Sequence, residues 1–355
     1  MSRVRVGIIG AGSWSTAVHL PELTRHRDVS VEIVSSRELG TGERIGAAFS
    51  VPQVTTDWRD VVDAGLDAII VSSPPYAHEA QAVAALSSGA HTLCEKPMAL
   101  TSTAAHAMVS ASTDAQRGLL VGFGWPFSAL FAHAKMCLEA DRIGEIEHVE
   151  LRLHANIREL LTGTTELDWQ RGGIQSEQST YRDPAVSGGG ALTTTLSHGI
   201  GMLSWLTGQS LDRVFATDGR NSGPLDLHLA IAGELADGAS VSISCASTSG
   251  RSPGVGWYLA IIGSQGELLL DFSERTIRID GKWSEVIRMT SNEAANRPGA
   301  PTLALLDVAR GGTVPAAASG QLGALVVATT EAITESLQTG RPAQVDRHSL
   351  PPSGW

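Results

Sequence analysis

The chain has little cysteine: three residues in 355 (Cys94, Cys137 and Cys245), far apart and odd in number. That argues against a disulfide framework or a thiolate metal knot and suits a reducing cytoplasm. Positive charge is also short, 26 Lys and Arg against 37 Asp and Glu, for a net charge of −11. No basic cluster occurs, so nucleic acid is not an expected partner. Long apolar runs are missing too. None approaches the roughly 18 residues of a membrane span. The opening MSRVRVGIIGAG breaks into a glycine turn before any leader-like apolar core develops. The eleven histidines are scattered without ligand spacing, so no metal site is expected.

What remains is enough chain for two globular domains. Residues 1–124 alternate short apolar runs (VRVGIIG, VSVEIVSS, DAIIVSS, HTLCEKP, GLLVGFG) with helical stretches. Apolar strands separated by helices describe a doubly wound parallel sheet. After Trp125 the texture changes. A helix over 126–140 and the strand-like HVELRLHANI lead through a polar loop to LTTTLSHGIGMLSWLTG. Runs such as LDLHLAIAGELADG, ASVSISCAST and GWYLAIIGSQGELLLDF then alternate with DG and SQG turns, as in an antiparallel meander. A final helix over 320–340 ends at glycine. We expect one domain over 1–124 and a second over 125–355. Part of the second domain's open sheet face is expected to be covered by a further copy of the chain.

GIIGAGSWS places Gly10, Gly12 and Ser15 in a G-x-G-x-x-small pattern between a strand and a helix. The first glycine permits the tight turn, the second lets a pyrophosphate approach the backbone, and the small residue lets helix and strand pack closely. An NAD site usually carries Asp or Glu at the end of the next strand; here stand Ser35, Ser36 and Arg37. Two hydroxyls and a guanidinium suit a 2′-phosphate, so NADP is the expected cofactor, with NAD the alternative.

Glu95-Lys96-Pro97 follows the fifth apolar run, at the sheet edge where such folds bind ligands. Together with GIIGAGSWS, SSPPYAHEAQAVAALSSGAHTLCEKPMALT, DRIGEIEHVELR and DPAVSGGGALTTTLSHGIGMLSWLTG, it resembles the Gfo/Idh/MocA oxidoreductases along the whole chain. The resemblance implies a Rossmann domain followed by an α/β domain built on a large open sheet. It also implies hydride transfer between a nicotinamide and a sugar, polyol or related carbonyl compound. At the cofactor it implies Ser13, Trp14, Ser73, Pro74, His78 and Glu95 beside the glycines. It places Lys96 as the group polarising the reacting oxygen and His198 as the acid/base.

The sequence departs from that pattern where the family often has an aspartate four residues before the histidine: Thr194 stands there. On an α-helix the two would share a face. Gly201 stands where a second acid is frequent. Some members use a tyrosine instead, which nominates Tyr181. For the substrate wall the candidates are Asn156, Arg158, Arg182, Thr194 and Trp125, the last offering a flat face to a sugar ring. The departures leave two alternatives to a redox enzyme: a non-catalytic sensor of dinucleotide and sugar, or a net non-redox enzyme assisted by a resident nicotinamide.

Overall fold

A computed structural model describes residues 3–164, 170–171, 173–175, 177–219, 223–249, 256–281 and 283–346. The chain divides into two compact units. The first opens with β1 (Val4–Ile9), β2 (Val29–Ser35), β3 (Gln53–Thr55), β4 (Ala68–Val71), β5 (His91–Cys94) and β6 (Leu119–Val121). These form one parallel sheet in the order β3-β2-β1-β4-β5-β6. Connecting helices cover the sheet, so Val6, Ile8, Ile69, Ile70, Val71 and Leu93 are buried, and such strands read as apolar runs rather than alternations. The strand order reverses between β1 and β4, and ligands of such sheets bind at the carboxyl ends beside that point.

The first unit does not end at residue 124. Described residues from Gln170 to Thr180, and the segment Pro298–Ala324, fold with it. The expectation of one uninterrupted second domain over 125–355 is corrected accordingly. The reason is apolar area: helix Ala300–Ala309 buries Leu305, Leu306 and Val308 in the cluster that holds Val6, Ile8, Ile70 and Leu93.

The second unit is organised by β7 (Ile146–Ala155). The chain then forms the small hairpin of β8 (Gln170–Arg171) and β9 (Ile174–Gln175), which belongs to the first unit. It returns through β10 (Leu211–Thr217), β11 (His228–Leu235), β12 (Ser240–Ser247), β13 (Gly256–Gly263), β14 (Gly266–Asp271), β15 (Thr276–Asp280), β16 (Glu285–Arg288) and β17 (Ala343–Gln344). These build a nine-stranded sheet, β16-β15-β14-β13-β7-β12-β11-β10-β17, antiparallel throughout except where β12 runs parallel to β7. Alternate residues point inward, as Val149, Leu151 and Leu153 do on β7. The opposite positions include Glu150, Arg152, Ser242, Ser244 and Arg278 beside Tyr258 and Leu269. That face mixes charged, polar and apolar side chains.

Helix Ser197–Thr207 packs on the inward face of this sheet. Its Gly199 sits so close to β7 that a Cβ there would lie 2.3 Å from Leu153 Cδ1 and 2.9 Å from Leu151 Cδ2. Gly199→Ala therefore sets a helix-propensity gain of up to about 1 kcal/mol against overpacking of about 1–3 kcal/mol. We expect a net loss of stability, read as a lower denaturant midpoint at unchanged slope. A raised midpoint would show that Leu153 moves aside freely.

Candidate functional site

The glycine turn after β1 is built by steric necessity. Gly10 has φ +80°, and a Cβ on it would lie 2.5 Å from Ser73 N, so no other residue type fits. The Gly10 and Ala11 amides both donate to Ser35 O, at 3.1 and 2.7 Å, pinning the turn to the end of β2. Gly12 is extended and its amide donates to Ser15 Oγ at 2.8 Å. A Cβ on Gly12 would meet nothing nearer than 3.9 Å. The turn is thus tight underneath and open above Gly12, beside Ser13 and Trp14, which begin the next helix. That cradle fits a dinucleotide pyrophosphate.

At the end of β2 the three expected phosphate ligands separate. Ser35 and Ser36 are only 3 % and 6 % exposed. Ser35 serves the glycine turn, and the Ser36 amide donates to Thr55 O at 3.0 Å. Neither hydroxyl is well exposed, which leaves Arg37 as the accessible member of the three. Arg37 does stand exposed, and its Nη2 lies 2.6 Å from Glu177 Oε2. Glu177 belongs to the returning 170–180 segment of the same unit, next to the hairpin that packs on helix Ser13–Ala17. The Glu177 hydrogen bond and charge hold the Arg37 guanidinium above its ordinary pKa.

After β4 and β5, two loops are stapled by His78. Its Nε2 lies 2.7 Å from Ser73 O and its Nδ1 3.0 Å from Pro97 O. The residue is 1 % exposed, and burial pushes its pKa down against those carbonyls. His78 was expected at the cofactor; its ring lies between the two carbonyls, a neutral ring donating to one of them, with Pro74 beginning the short turn after Ser73 and Ser73 donating its hydroxyl to Gln81. The buried thiol of Cys94 is held far above its ordinary range by desolvation, so it is no nucleophile.

Glu95 is the most constrained charge in the unit, 8 % exposed at the carboxyl end of β5. Its Oε2 accepts the Lys96 amide at 3.2 Å, and its Oε1 lies 3.2 Å from His19 Nε2. Gly122, just past β6, makes the room: a Cβ there would fall 2.6–2.7 Å from the carboxylate atoms. Burial alone would raise the Glu95 pKa. The His19 contact, the Trp14 indole and the Lys96 charge outweigh it, so the carboxyl sits below its ordinary value. Lys96 is half-buried beside it, and the peptide to Pro97 is cis.

In the second unit the approach to His198 is clamped by Asp226, a residue nothing in the sequence singled out. Asp226 Oδ1 accepts the Gly190 amide at 2.9 Å, Oδ2 the Leu192 amide at 2.7 Å, and its backbone carbonyl the Ala191 amide at 2.9 Å. A Cβ on Gly190 would be 2.0 Å from Asp226 O, which explains the glycines before the helix. Burial raises the Asp226 pKa against those amides.

Residues Leu192–Leu196 form a π-helical turn, not the expected α-helix. The threonines explain it: Thr193 and Thr194 donate their hydroxyls to Gly189 O and Gly190 O, at 3.0 and 2.6 Å, and Ser197 donates to Thr193 O at 2.6 Å. Such back-bonding competes with the regular α ladder, and π turns recur at functional sites. Thr194 in this turn and His198 just past it are both half-buried. Thr194 is nonetheless committed to its own backbone.

The substrate-wall candidates divide as well. Trp125 lies in an aromatic cluster, its ring 4.9 Å from Trp257 and 5.4 Å edge-on to Phe272. Its expected role as an open platform is corrected, because apolar packing claims the ring. Asn156 accepts the Thr248 hydroxyl beyond the end of β7. Arg158 Nη1 lies 3.2 Å from His228 Nε2 there, and the His154 pKa is lowered by burial and then by the Arg152 and His228 charges. Arg182 Nε donates to Leu160 O at 3.3 Å, and Tyr181 precedes it, half-buried. Among the described residues no group of His, Cys, Asp and Glu is arranged to hold a metal, and no helix is long and apolar enough to cross a membrane.

Comparison with known proteins agrees with this architecture. Residues 4–123 match the GFO_IDH_MocA oxidoreductase family with its NAD-binding Rossmann fold, and residues 131–269 match the GFO/IDH/MocA C-terminal domain. The chain is 34 % identical to inositol 2-dehydrogenase 1 of Saccharopolyspora erythraea over 168 residues, 46 % of this chain and 49 % of that protein. It is 30 % identical to levoglucosan dehydrogenase of Pseudarthrobacter phenanthrenivorans over 162 residues, 45 % of this chain and 38 % of that one. The match thus spans about half or less of those relatives' length. A solved levoglucosan dehydrogenase in complex with NADH and L-sorbose shares the fold, with a TM-score of 0.80 at 19 % identity, covering 98 % of this chain and 100 % of that one. The chain belongs to the Gfo/Idh/MocA family of oxidoreductases, its first unit being the NAD-binding Rossmann fold.

Proposed function

We propose that the chain is a nicotinamide-dependent oxidoreductase of a sugar, polyol or related keto-sugar. The observation that carries this reading is the corner at the end of β5, where a buried carboxylate fixes the backbone of Lys96 in the unit that holds the dinucleotide cradle. The relatives named inositol and levoglucosan dehydrogenase support the substrate class. A bound nicotinamide would supply hydride to, or accept it from, the substrate carbon. Lys96 hydrogen-bonds the reacting oxygen and stabilises its alkoxide-like charge. His198 gives that oxygen its proton in reduction and takes it in oxidation. Tyr181 is the candidate to assist, because Thr194 supplies no carboxylate.

NADP is the proposed dinucleotide, through Arg37 alone now that Ser35 and Ser36 are buried. A 2′-phosphate must take the guanidinium from Glu177. That is feasible because an exposed ion pair is worth about 0–1 kcal/mol, whereas charge-assisted bidentate contacts to phosphate are stronger. A second reading is a non-catalytic sensor, favoured by an uncharged Thr194 four residues before His198.

Protein mixed with NADPH and a panel of keto-sugars is expected to oxidise NADPH, followed by absorbance. Lys96→Met should lower kcat by about 10²-fold or more, with NADPH binding by fluorescence held within a few-fold. Unchanged turnover would defeat the assignment, and tight binding with no turnover by the unaltered chain would favour the sensor.

Glu177→Gln should tighten NADPH binding several-fold while leaving NADH unchanged. Equal effects on both dinucleotides would remove Arg37 from the 2′-phosphate site.

A further inference from the structure

We propose that His19 is a positioning residue for Lys96, acting through the Glu95 carboxylate. The inference rests on the role given to Lys96 above and adds residues to which no role has been attached, His19 and Thr302. His19 opens helix His19–Thr24 and is fully buried. A histidine in that place has no solvent around its ring, so its neighbours within the protein set its orientation. Nδ1 lies 2.8 Å from Thr302 Oγ1, on the helix that returns to this unit late in the chain. Nε2 faces Glu95 Oε1 at 3.2 Å, an ion-pair contact outside hydrogen-bond geometry.

The proton on that ring follows from its neighbours. An ionised carboxylate only accepts, so Nε2 carries a hydrogen toward it. The Thr302 hydroxyl can donate to Nδ1 or accept from it, so it completes the ring in either charge state. The second Glu95 oxygen receives the Lys96 amide. A chain of contacts therefore runs Thr302, His19, Glu95, Lys96, entirely within the first unit. Gly122 closes it from the other side by leaving space for the carboxylate and nothing larger.

Buried ion pairs are weak contributors to stability, and apolar replacements of similar volume are often tolerated. A histidine with one nitrogen on Thr302 and the other on Glu95 is better explained by orientation. Without the imidazole, the Glu95 carboxyl loses its 3.2 Å charge contact with Nε2, and the Lys96 amide loses a fixed acceptor. Misplacement of a reacting group by about 1 Å costs on the order of 10²-fold in rate.

The test compares His19→Leu with His19→Gln, whose amide N–H reaches toward the position of Nε2. Two readouts are taken: kcat with KM in the holoenzyme, and amide hydrogen exchange at Lys96 in cofactor-free protein. His19→Leu is expected to lower kcat by about 10- to 10²-fold with KM little changed. It should also speed exchange at Lys96 while Leu93, inside β5, keeps its protection. His19→Gln should recover most of both. Thr302→Val, which leaves the imidazole in place, should shift both readouts in the same direction by a smaller factor and serves if His19→Leu does not fold.

A Leu variant with unchanged exchange at Lys96 would overturn the proposal, as would a Gln variant no better than Leu. The exchange arm needs no turnover. A chain that binds dinucleotide without reacting would sink the enzymatic reading yet still decide whether His19 holds Lys96.

Discussion

A carboxylate buried at the end of a parallel strand is the constraint from which the first unit's geometry follows. Moving an ionised carboxyl out of water costs several kcal/mol unless partners replace the water. Glu95 has the His19 charge contact, the Trp14 indole and the Lys96 amide, and Gly122 leaves it room. Each partner comes from a different part of the chain, so the carboxylate draws the glycine turn, the end of β5 and the end of β6 into one fixed arrangement. The late-returning helix Ala300–Ala309 joins the same arrangement through Thr302. The result is a rigid corner directly beside the open backbone at Gly12, which is what orienting a reacting group requires.

The second unit solves its own positioning problem with another buried acid. Asp226 uses both carboxylate oxygens and its carbonyl to hold three successive backbone amides before the His198 helix. The helix then begins with a π turn whose threonine hydroxyls are turned back on the main chain. The position the family often fills with an acidic partner for the histidine is thus occupied by a side chain doing structural duty. That difference falls on the electrostatics of the imidazole and leaves its placement intact.

Much of the first unit was legible because buried parallel strands are written as continuous apolar runs, and the glycine pattern marks the turn between the first strand and its helix. The meander of the second unit was legible through its DG and SQG turns, which end β10, β11 and β13 as expected. The helix Ala300–Ala309 was not. APTLALLDVA is apolar on nearly all sides, so it offers no periodic contrast, and its partners lie far upstream. His19, Asp226 and Glu177 escaped for a related reason: a single polar residue gives no pattern, and its meaning depends on a partner distant in sequence. The low exposure of Ser35 and Ser36 and the two carbonyls facing the His78 ring depend on tertiary packing that no local pattern announces. The run of threonines did carry a signal, poor α-helical material, and the structure resolves it as a π turn.

The central claim is that this corner serves hydride transfer to a sugar or polyol carbon. Its most direct measurement is the fate of deuterium carried at the nicotinamide C4, one face at a time, during reduction of a keto-sugar. The account predicts that one of the two labelled cofactors delivers its deuterium to the former carbonyl carbon, seen by mass spectrometry, and the other does not. A product formed from both cofactors without label at that carbon would contradict it.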